Sequence, residues 1–498
     1  MMKLSDVIRN LSIIEVAGET EKEINSIVCD SRKATKGSLF VAMKGAQFDG
    51  HRFIVDAIGS GASAVAVEDN SIVNDDYFLS HHTTKLLVPS TRRALALISS
   101  NFYEHPAEKL KVVGITGTNG KTTSTYLIKS IMQAAGEKVL LVGTITYQLN
   151  DQPLEAATNT TPESLELNRM MAQAAERGAN SAVMEVSSHS LVMDRVYGIP
   201  FRAALFTNLT QDHLDFHRTM EEYFKAKKML FDSLPASSIA ISNIDDQYGK
   251  RIVADTSAKK RFYGFEPDAD FIIVKSSFGI DGTSIVVRHD GKDFSINSKL
   301  IGKFNIYNLA GAFAAAVSLG YDPTIASDAL SKVQSVKGRF ERIDSGKGFV
   351  VVVDYAHSPD SLQKTLQSAK EMLNSAGRSG RLITVFGCGG NRDRTKRPKM
   401  GKIAKELSDI TIVTSDNPRF EDPEAIVDEI LAGINVNDDK VLRIVDRREA
   451  ISEALKRTLP NDIMVLAGKG HENYQDVRGV KHHFDDREEV ENQLGLKN

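Results

Sequence analysis

The chain has 498 residues, a length that predicts about three domains. Hydrophobic residues make up 41% and charged residues 26% of it, which excludes a mostly disordered, collagen-like or disulfide-stapled protein. The net charge is only −3, so no overall field would draw the chain to nucleic acid or an anionic membrane. Any anionic ligand must therefore be held by local sites.

The sequence indicates a cytoplasmic protein. Its start lacks a sustained apolar stretch, and no run of about 18 apolar residues occurs, so we expect neither a secretory signal nor a membrane span. The two cysteines, Cys29 and Cys388, suit a reducing compartment. Two cysteines alone cannot build a structural zinc site.

Runs of β-branched residues alternate with helical stretches, and this alternation restarts twice. We predict three α/β units in series, with boundaries at about residue 108 and residue 338. Candidate strands of the first unit lie at 24–32 and 37–43, and a loop containing Gly45, Asp49 and Gly50 follows them.

The middle unit opens with a strand at 111–116, and a phosphate-binding loop and a helix follow it. Continuous apolar strands also predict a parallel sheet in the last unit, with ligands beyond the carboxyl ends of its strands. Further candidate strands lie at 138–145, 181–186, 203–209, 238–244, 349–354, 382–386, 410–414, 441–445 and 463–467, with hairpins at 271–296 and a buried helix at 301–320.

The segment GITGTNGKTT at 114–123 is the sharpest chemical signal. Gly117 and Gly120 allow the backbone to approach a polyphosphate, Lys121 adds a positive charge, and the Thr122 hydroxyl could coordinate Mg²⁺. Ile115 occupies the position of the first glycine of the usual P-loop spacing. The alternative is an ordinary glycine-rich turn, which the combination of strand, glycines, Lys-Thr and helix disfavours.

Carboxylate and imidazole groups follow two later strands, namely Glu185 and then His213 and Asp215. Hard oxygen ligands with one imidazole suit Mg²⁺ or Mn²⁺ better than zinc. Taken singly, such residues are more often solvated, and the upstream phosphate loop favours the metal interpretation. The spacing of Lys225, Lys227 and Lys228 at 223–231 predicts an amphipathic helix with its lysines in water.

Arginines in two loops after strands of the last unit predict a pocket for a zwitterion. Arg419 and Arg392 could each bind a carboxylate, and Glu472 could receive an ammonium group. The alternative is that Arg419 merely pairs with Glu421 or Asp422.

The chain resembles the Mur ligases over essentially its whole length. The motifs that carry the resemblance are GTNGKTT, the Glu185 and His213 segments, GKFNIYN at 302–308, GRFE at 338–341, DYAHSPDS at 354–361 and DNPR at 416–419. The resemblance implies an N-terminal UDP-binding α/β domain (1–108), a central P-loop ATPase-like parallel-sheet domain (109–338) and a C-terminal Rossmann-type domain (339–498).

The implied activity is ATP- and Mg²⁺-dependent amide ligation in peptidoglycan precursor synthesis. The chain is most similar to members that add meso-diaminopimelate to the D-glutamate γ-carboxylate of UDP-N-acetylmuramoyl-L-alanyl-D-glutamate through an acyl phosphate. We expect a monomer with small-molecule partners. The alternatives are addition of lysine or ornithine, folylpolyglutamate synthesis, and a P-loop kinase or nucleotide-dependent binding module, which would not need the DNPR and GKGHE segments.

The resemblance also assigns residues. It implies ATP contacts at Gly117, Thr118, Asn119, Gly120, Lys121, Thr122, Thr123 and Asn243. It implies UDP-substrate contacts at Ser31, Gln47, Asn159, Thr160, Thr161, Ser187 and Arg195. It implies amino-acid contacts at Arg392, Asp416, Asn417, Pro418, Arg419, Gly468 and Glu472.

The implied magnesium ligands are Thr122, Glu185, His213 and Lys227, the last carboxylated on its side-chain nitrogen. Lys121, Lys227 and His213 are the implied catalytic residues. Ala46 and Met193 stand where similar ligases often have His and Gln, and His357 receives no role.

Overall fold

The computed structural model describes residues 1–45, 49–375, 379–434 and 439–496. The first unit contains strands β1 Met2–Lys3, β2 Glu15–Ala17, β3 Glu23–Ile24, β4 Ser26–Val28, β5 Ser38–Val41, β6 Ala64–Val67 and β7 Thr84–Leu87. Its helices are α1 Leu4–Val7, α2 Ile54–Gly59, α3 Asp75–Ser80 and α4 Thr91–Phe102, with short 3-10 helices at Ser31–Lys33, Gly50–Phe53 and Pro106–Lys109.

The central unit is the largest. Its strands are β8 Lys111–Thr116, β9 Val139–Val142, β10 Tyr147–Leu149, β11 Gln152–Glu155, β12 Ser181–Glu185, β13 Ala203–Phe206, β14 Ile239–Asn243, β15 Lys259–Gly264, β16 Phe271–Gly279, β17 Gly282–His289 and β18 Lys292–Ser298. Its helices are α5 Lys121–Ala134, α6 Ser164–Glu176, α7 Ser188–Val192, α8 Leu214–His217, α9 Met220–Asp232, α10 Gly249–Ile252, α11 Asn305–Ser318 and α12 Pro323–Lys332.

The third unit contains β19 Glu341–Asp344, β20 Val350–Asp354, β21 Leu382–Phe386, β22 Ile410–Val413, β23 Val441–Arg443, β24 Ile463–Ala467, β25 Tyr474–Val477 and β26 Val480–His483. Its helices are α13 Pro359–Ser375, α14 Lys396–Leu407, α15 Pro423–Leu431, α16 Arg447–Arg457 and α17 Asp486–Leu494. The predicted limits at residues 108 and 338 stay predictions, and strands of adjoining sheets lie on either side of each.

Each unit is organised around one large sheet. The orders are β2-β7-β6-β5-β4 in the first unit, β11-β10-β9-β12-β8-β13-β14-β15-β16-β17-β18 in the second and β19-β20-β24-β21-β22-β23 in the third. The central strands of every sheet are parallel, and antiparallel strands occupy an edge. The predicted three-unit α/β fold is confirmed.

The middle sheet is buried on both faces. The cluster that contains Val113, Ile115 and Leu205 packs against α5 and α11, and the cluster that contains Val112 and Phe206 packs against α6 and α9. Because strand side chains alternate between faces, neighbouring residues of β8 enter different clusters. Two-sided burial explains the uninterrupted apolar strands of the sequence.

The predicted hairpins at 271–296 form β16, β17 and β18. Their antiparallel ladder joins the main sheet through β15 and β16, so they extend that sheet at one edge. Phe278 and Ile280, near the β16–β17 turn, also pack against the core of the third unit. The hairpins therefore link the two units.

Four polar segments of the third unit meet at one edge of its sheet. They follow β20, β21, β22 and β24, which are neighbouring parallel strands, and so they share the carboxyl edge as predicted. Among the described residues, no helix combines the length and apolar character needed to cross a membrane.

Candidate active site

The phosphate-binding loop connects β8 to α5. Gly117 and Gly120 have φ angles of +148° and +85°, which residues other than glycine rarely adopt. A β-carbon on Gly117 would overlap Thr207 Oγ1, and one on Gly120 would overlap Asn308 Oδ1. Both glycines are therefore required by the backbone path and by close packing. Sequence reasoning did not assign Asn308, although it lies in the GKFNIYN motif.

Two lysines converge on this loop. Lys121 Nζ donates to Gly117 O at 3.0 Å and to Thr118 O at 2.9 Å, and Lys227 Nζ donates to Gly117 O at 2.8 Å. Lys227 is 1% exposed, so the prediction from spacing that it lies in water is wrong. Burial, together with the nearby Lys121 charge, holds the pKa of Lys227 well below its usual range.

Glu185 is the buried carboxylate next to the loop. It lies at the end of β12 and is 1% exposed. Its oxygens accept hydrogen bonds from Thr122 Oγ1 at 3.1 Å, from Thr144 N at 2.8 Å and from Thr144 Oγ1 at 3.1 Å. Within the described residues it forms no ion pair, so a bound cation would supply the missing charge partner.

Thr122 and Glu185 fit a magnesium ion, because both present hard oxygen atoms to one buried point beside the phosphate loop. In the described parts of the chain, no three His, Cys, Asp or Glu side chains gather closely enough to hold a metal alone. A magnesium ion here would therefore depend on the hydroxyl, on bound phosphate oxygens and on water as further ligands.

His213 lies at the rim of the site. It precedes α8 with a φ of +52°, and its side chain is 46% exposed. Its ring stacks edge-on against His189 with centroids 4.9 Å apart, and Asp215 is exposed. Partial burial lowers the pKa of His213, which favours the neutral imidazole that metal binding requires.

The predicted UDP-substrate residues of the middle unit reach the same network. Thr144 Oγ1 lies 3.1 Å from Thr160 Oγ1, and Thr161 Oγ1 donates to the Glu185 backbone oxygen at 2.8 Å. Arg195 Nη1 donates to Thr161 O at 2.9 Å. Sequence reasoning missed Thr144, whose only signal was its place after the strand VLLV.

The four other residues predicted to contact the UDP-substrate are Ser187, Asn159, Ser31 and Gln47. Ser187 caps α7 by accepting from Ser190 N at 3.1 Å, and Asn159 O accepts from the Tyr147 hydroxyl at 2.5 Å. Ser31 begins a 3-10 helix of the first unit. Gln47 lies outside the described residues, as does Ala46.

Asn243 ends β14 and is 6% exposed. Its amide nitrogen donates to Thr207 O at 3.0 Å, and its amide oxygen accepts from Asp245 N at 3.1 Å. The side chain thus holds the strand end that lies next to the phosphate loop. Its predicted role near the adenine stays a prediction.

The segments that follow β22 and β24 form a second site. Asn417 Nδ2 donates to Glu472 Oε2 at 2.7 Å, and a β-carbon on Gly468 would lie 2.5 Å from Asp416 Oδ2. Lys469 Nζ, which is fully buried, lies 3.5 Å from Glu472 Oε2. Burial and the adjacent Asp416 carboxylate raise the pKa of Glu472.

Arg419 reaches across to the segment that follows β21. Its Nη1 donates to Gly390 O at 2.8 Å, after Pro418 turns the chain, and its φ is +52°. The alternative that it pairs with Glu421 is wrong, because Glu421 binds Arg397 at 2.9 Å. Asp422 caps α15. Arg419 has no acidic partner among the described residues.

Two more residues lie near this edge. Arg392 is exposed on the loop after β21, and its predicted contact with the amino acid stays a prediction. His357 Nδ1 lies 2.8 Å from Tyr355 O, and Lys396 Nζ donates to His357 O at 2.8 Å. These contacts hold the DYAHSPDS segment and give His357 no chemical role.

Family comparisons agree with this division of sites. Residues 23–103 match the Mur ligase family catalytic domain, residues 115–316 the Mur ligase middle domain, and residues 338–470 the Mur ligase glutamate ligase domain. A relative from Syntrophomonas wolfei subsp. wolfei, named UDP-N-acetylmuramoyl-L-alanyl-D-glutamate--2,6-diaminopimelate ligase, is 45% identical over 98% of both chains.

The chain belongs to the Mur ligase family.

Other Mur ligases give the same result. A relative of the same name from Geobacter metallireducens is 44% identical over 98% of both chains. A solved structure with that name has 31% identity, a TM-score of 0.70 and coverage of 99% of both chains. The three-unit fold and the family membership predicted from the motifs are both confirmed.

Proposed function

We propose that this Mur ligase uses ATP to join meso-diaminopimelate to the D-glutamate γ-carboxylate of UDP-N-acetylmuramoyl-L-alanyl-D-glutamate, in the cytoplasm. The observation that carries the amino-acid choice is the Arg419 guanidinium, which donates to the neutral Gly390 carbonyl and has no acidic partner among the described residues. It belongs to the same DNPR segment as Asn417, whose amide binds Glu472. The names of the full-length relatives at 44–45% identity support the same reaction.

The distal carboxylate of diaminopimelate is the natural partner of Arg419. A guanidinium binds a carboxylate through parallel, charge-assisted hydrogen bonds. Lysine lacks that carboxylate and would leave the desolvated arginine unpaired, at a cost of about 1–3 kcal/mol or more for a charged group. Arg419 thus favours diaminopimelate over lysine and ornithine.

The first step is phosphoryl transfer at the phosphate loop. The backbone of residues 117–123 and the Lys121 ammonium hold the ATP phosphates and neutralise their charge. An oxygen of the substrate γ-carboxylate bonds to the γ-phosphorus while the bond to the β–γ bridging oxygen breaks, so ADP leaves. The product on the substrate is an acyl phosphate, and the protein supplies no nucleophile.

Magnesium held by Thr122, Glu185, His213 and carboxylated Lys227 would neutralise phosphate charge during this step. Lys227 suits carboxylation because its lowered pKa favours the neutral amine. That nitrogen bonds to the carbon of CO₂ and releases a proton, which converts a buried neutral amine into a carbamate anion. The new anion would lie beside Gly117 and the Lys121 ammonium.

The second step forms the amide. Glu472 accepts a hydrogen bond from Asn417 and, as a carboxylate, would attract an ammonium group of diaminopimelate. The neutral α-amine then bonds to the acyl carbon, the bond to phosphate breaks, and the amine loses its proton. Orientation and charge neutralisation provide the catalysis.

Each unit would take one ligand. The first (1–108), through Ser31 and Gln47, would hold the UDP group, and the middle (109–338) would hold ATP, with Asn243 near the adenine. The last (339–498) would hold the amino acid. Substrate contacts between the first two sites would come from Asn159, Thr160, Thr161, Ser187 and Arg195, and amino-acid contacts from Arg392, Asp416, Asn417, Pro418, Arg419, Gly468 and Glu472.

A coupled phosphate-release assay tests the proposal. We expect release from ATP only when the UDP-muramoyl-dipeptide and diaminopimelate are both present, with much less release for lysine or ornithine. Arg419→Ala should raise the KM for diaminopimelate far more than that for ATP. Equal rates with lysine would contradict the amino-acid assignment, and release without the dipeptide would contradict the ligase reaction.

A further inference from the structure

An ion pair beneath the amino-acid site joins the two loops that carry its arginines. Arg397 belongs to α14 and is fully buried. Its Nη1 lies 2.9 Å from Glu421 Oε2, and its Nη2 lies 3.0 Å from Glu421 Oε1, a two-pronged contact. Glu421 follows the DNPR motif by two residues.

Glu421 also holds the loop that follows β21. Its Oε1 accepts a short hydrogen bond from Asn391 N. In return, Asn391 Oδ1 accepts from Phe420 N at 3.0 Å, and Gly390 N donates to Asn417 O at 2.9 Å. One carboxylate therefore ties α14 and the Gly390–Asn391 turn to the DNPR segment.

The same pair sets the charge around Arg419. Glu421 is two residues from Arg419 and would compete with a ligand carboxylate if it were free to turn. Arg397 occupies both of its oxygens, so the Arg419 guanidinium donates to the neutral Gly390 carbonyl instead. An arginine with a neutral acceptor can exchange that contact for a ligand carboxylate more easily than one already in an ion pair.

We propose that Arg397 and Glu421 are positioning residues for the amino-acid site. Their pair fixes the spacing between the Arg392 loop and the Arg419 loop, and it withholds Glu421 from Arg419. The inference rests on the proposed function of that site, and it concerns residues that do not themselves touch the amino acid.

Steady-state kinetics with Arg397→Gln test this role. The substitution releases Glu421, so we expect the KM for diaminopimelate to rise about tenfold or more while the KM for ATP changes less than about twofold. In Arg397→Gln/Glu421→Gln the competing carboxylate is gone, so the KM should fall part of the way back. Loss of packing alone would not give that rescue.

Glu429→Gln is the matched control. Glu429 Oε2 also accepts from Arg397 Nη1, at 2.8 Å, but Glu429 lies on α15, and its other ion-pair partner among the described residues is Arg394, whose side chain is 65% exposed. We expect its KM for diaminopimelate to stay within about twofold of wild type. A rise equal to that of Arg397→Gln would mean that any loss around Arg397 has the same effect, and would overturn the inference.

Glu421→Asp provides the test if Arg397→Gln does not fold, which circular dichroism and thermal melting would reveal. It keeps the charge but is one methylene too short to span Arg397 and Asn391, so the KM for diaminopimelate should again rise alone. The inference would be overturned, and the proposed function left standing, by an unchanged KM for diaminopimelate in these variants or by an equal rise in the KM for ATP. Absence of rescue in Arg397→Gln/Glu421→Gln would have the same meaning. Failure of the wild-type enzyme to use diaminopimelate would overturn the proposed function with it.

Discussion

Single buried groups decide the chemistry of this molecule. Lys227 and Glu185 are each 1% exposed, and they approach the phosphate loop from different elements. A buried lysine beside another lysine is costly as a cation. The proposed conversion of its amine to a carbamate would remove that cost and add a metal ligand, which would give the otherwise unfavourable placement of Lys227 a function.

Replacement of Lys227 tests this directly. We expect Lys227→Ala to lower turnover by at least about a hundredfold, because it removes one proposed ligand of the magnesium ion. Lys225→Ala is the control, since Lys225 is exposed on the same helix. Phosphate-release rates and thermal melting would separate catalysis from folding, and a near-normal rate for Lys227→Ala would remove the carbamate from the mechanism.

Glu472 predicts a pH effect on amino-acid binding. Burial and Asp416 raise its pKa, and the carboxylate form is the one that attracts an ammonium group. As the pH falls through this raised pKa, Glu472 gains a proton and the KM for diaminopimelate should increase. The KM of Glu472→Gln, measured over the same pH range, should be high and nearly flat; a slope equal to that of wild type would assign the titration to another group.

At the scale of elements, apolar periodicity predicted the strands well. Each strand that carries a functional loop was expected within a few residues, because two-sided burial demands uninterrupted apolar runs. Helical periodicity predicted α9 but placed Lys227 in water. A lysine side chain can be buried among apolar neighbours when a backbone carbonyl accepts a hydrogen bond from its nitrogen. For Lys227 that carbonyl belongs to Gly117, and its position depends on the path of the 117–120 loop.

Site contacts made through the backbone were also beyond prediction. Thr144 reaches Glu185 because β9 and β12 are paired in the sheet, a neighbourhood that sequence order does not show. Likewise, Glu421 was one of two alternative partners considered for Arg419, and Arg397 of α14 binds it instead. Both contacts depend on which elements are neighbours, which local patterns do not encode.

The phosphate loop predicts a specific sensitivity to an added methyl group. In Gly117→Ala the β-carbon would overlap Thr207 Oγ1 at a φ of +148°, so we expect the KM for ATP to rise about tenfold or more. Gly136→Ala, at the end of α5, meets similar backbone strain but open space, and should leave that KM unchanged. Equal KM values for the two variants would contradict the close-packing argument.

For the whole molecule, the main question is how the ATP site and the amino-acid site are joined. Thr210 connects them. Its backbone N donates to Thr118 Oγ1 at 3.0 Å, and its hydroxyl accepts from Lys364 Nζ at 2.9 Å, while Lys364 Nζ also lies 2.7 Å from Asp360 Oδ2. The phosphate loop is thus tied to the start of α13 in the third unit.

Removal of the Lys364–Thr210 contact should lower the rate of the overall reaction more than it weakens ATP binding. We expect Lys364→Met to lower kcat several-fold, because the acyl phosphate and the amine would be less well aligned, with little change in the KM for ATP. Lys370→Met is the control, since Lys370 is exposed on the same helix. Stopped-flow and steady-state assays of phosphate release would measure both variants. Equal kcat values for Lys364→Met and Lys370→Met would show that the tie does not align the sites.

The β16–β17 hairpin affects how the chain folds during synthesis. Phe278 packs against the cores of both the second and the third unit, and Ile280 packs against the core of the third. During synthesis the hairpin emerges before the strands that cover its tip. Until those strands fold, Ile280 and the part of Phe278 that packs on the third unit face water, so a fragment that ends near residue 338 should aggregate more readily than the full chain.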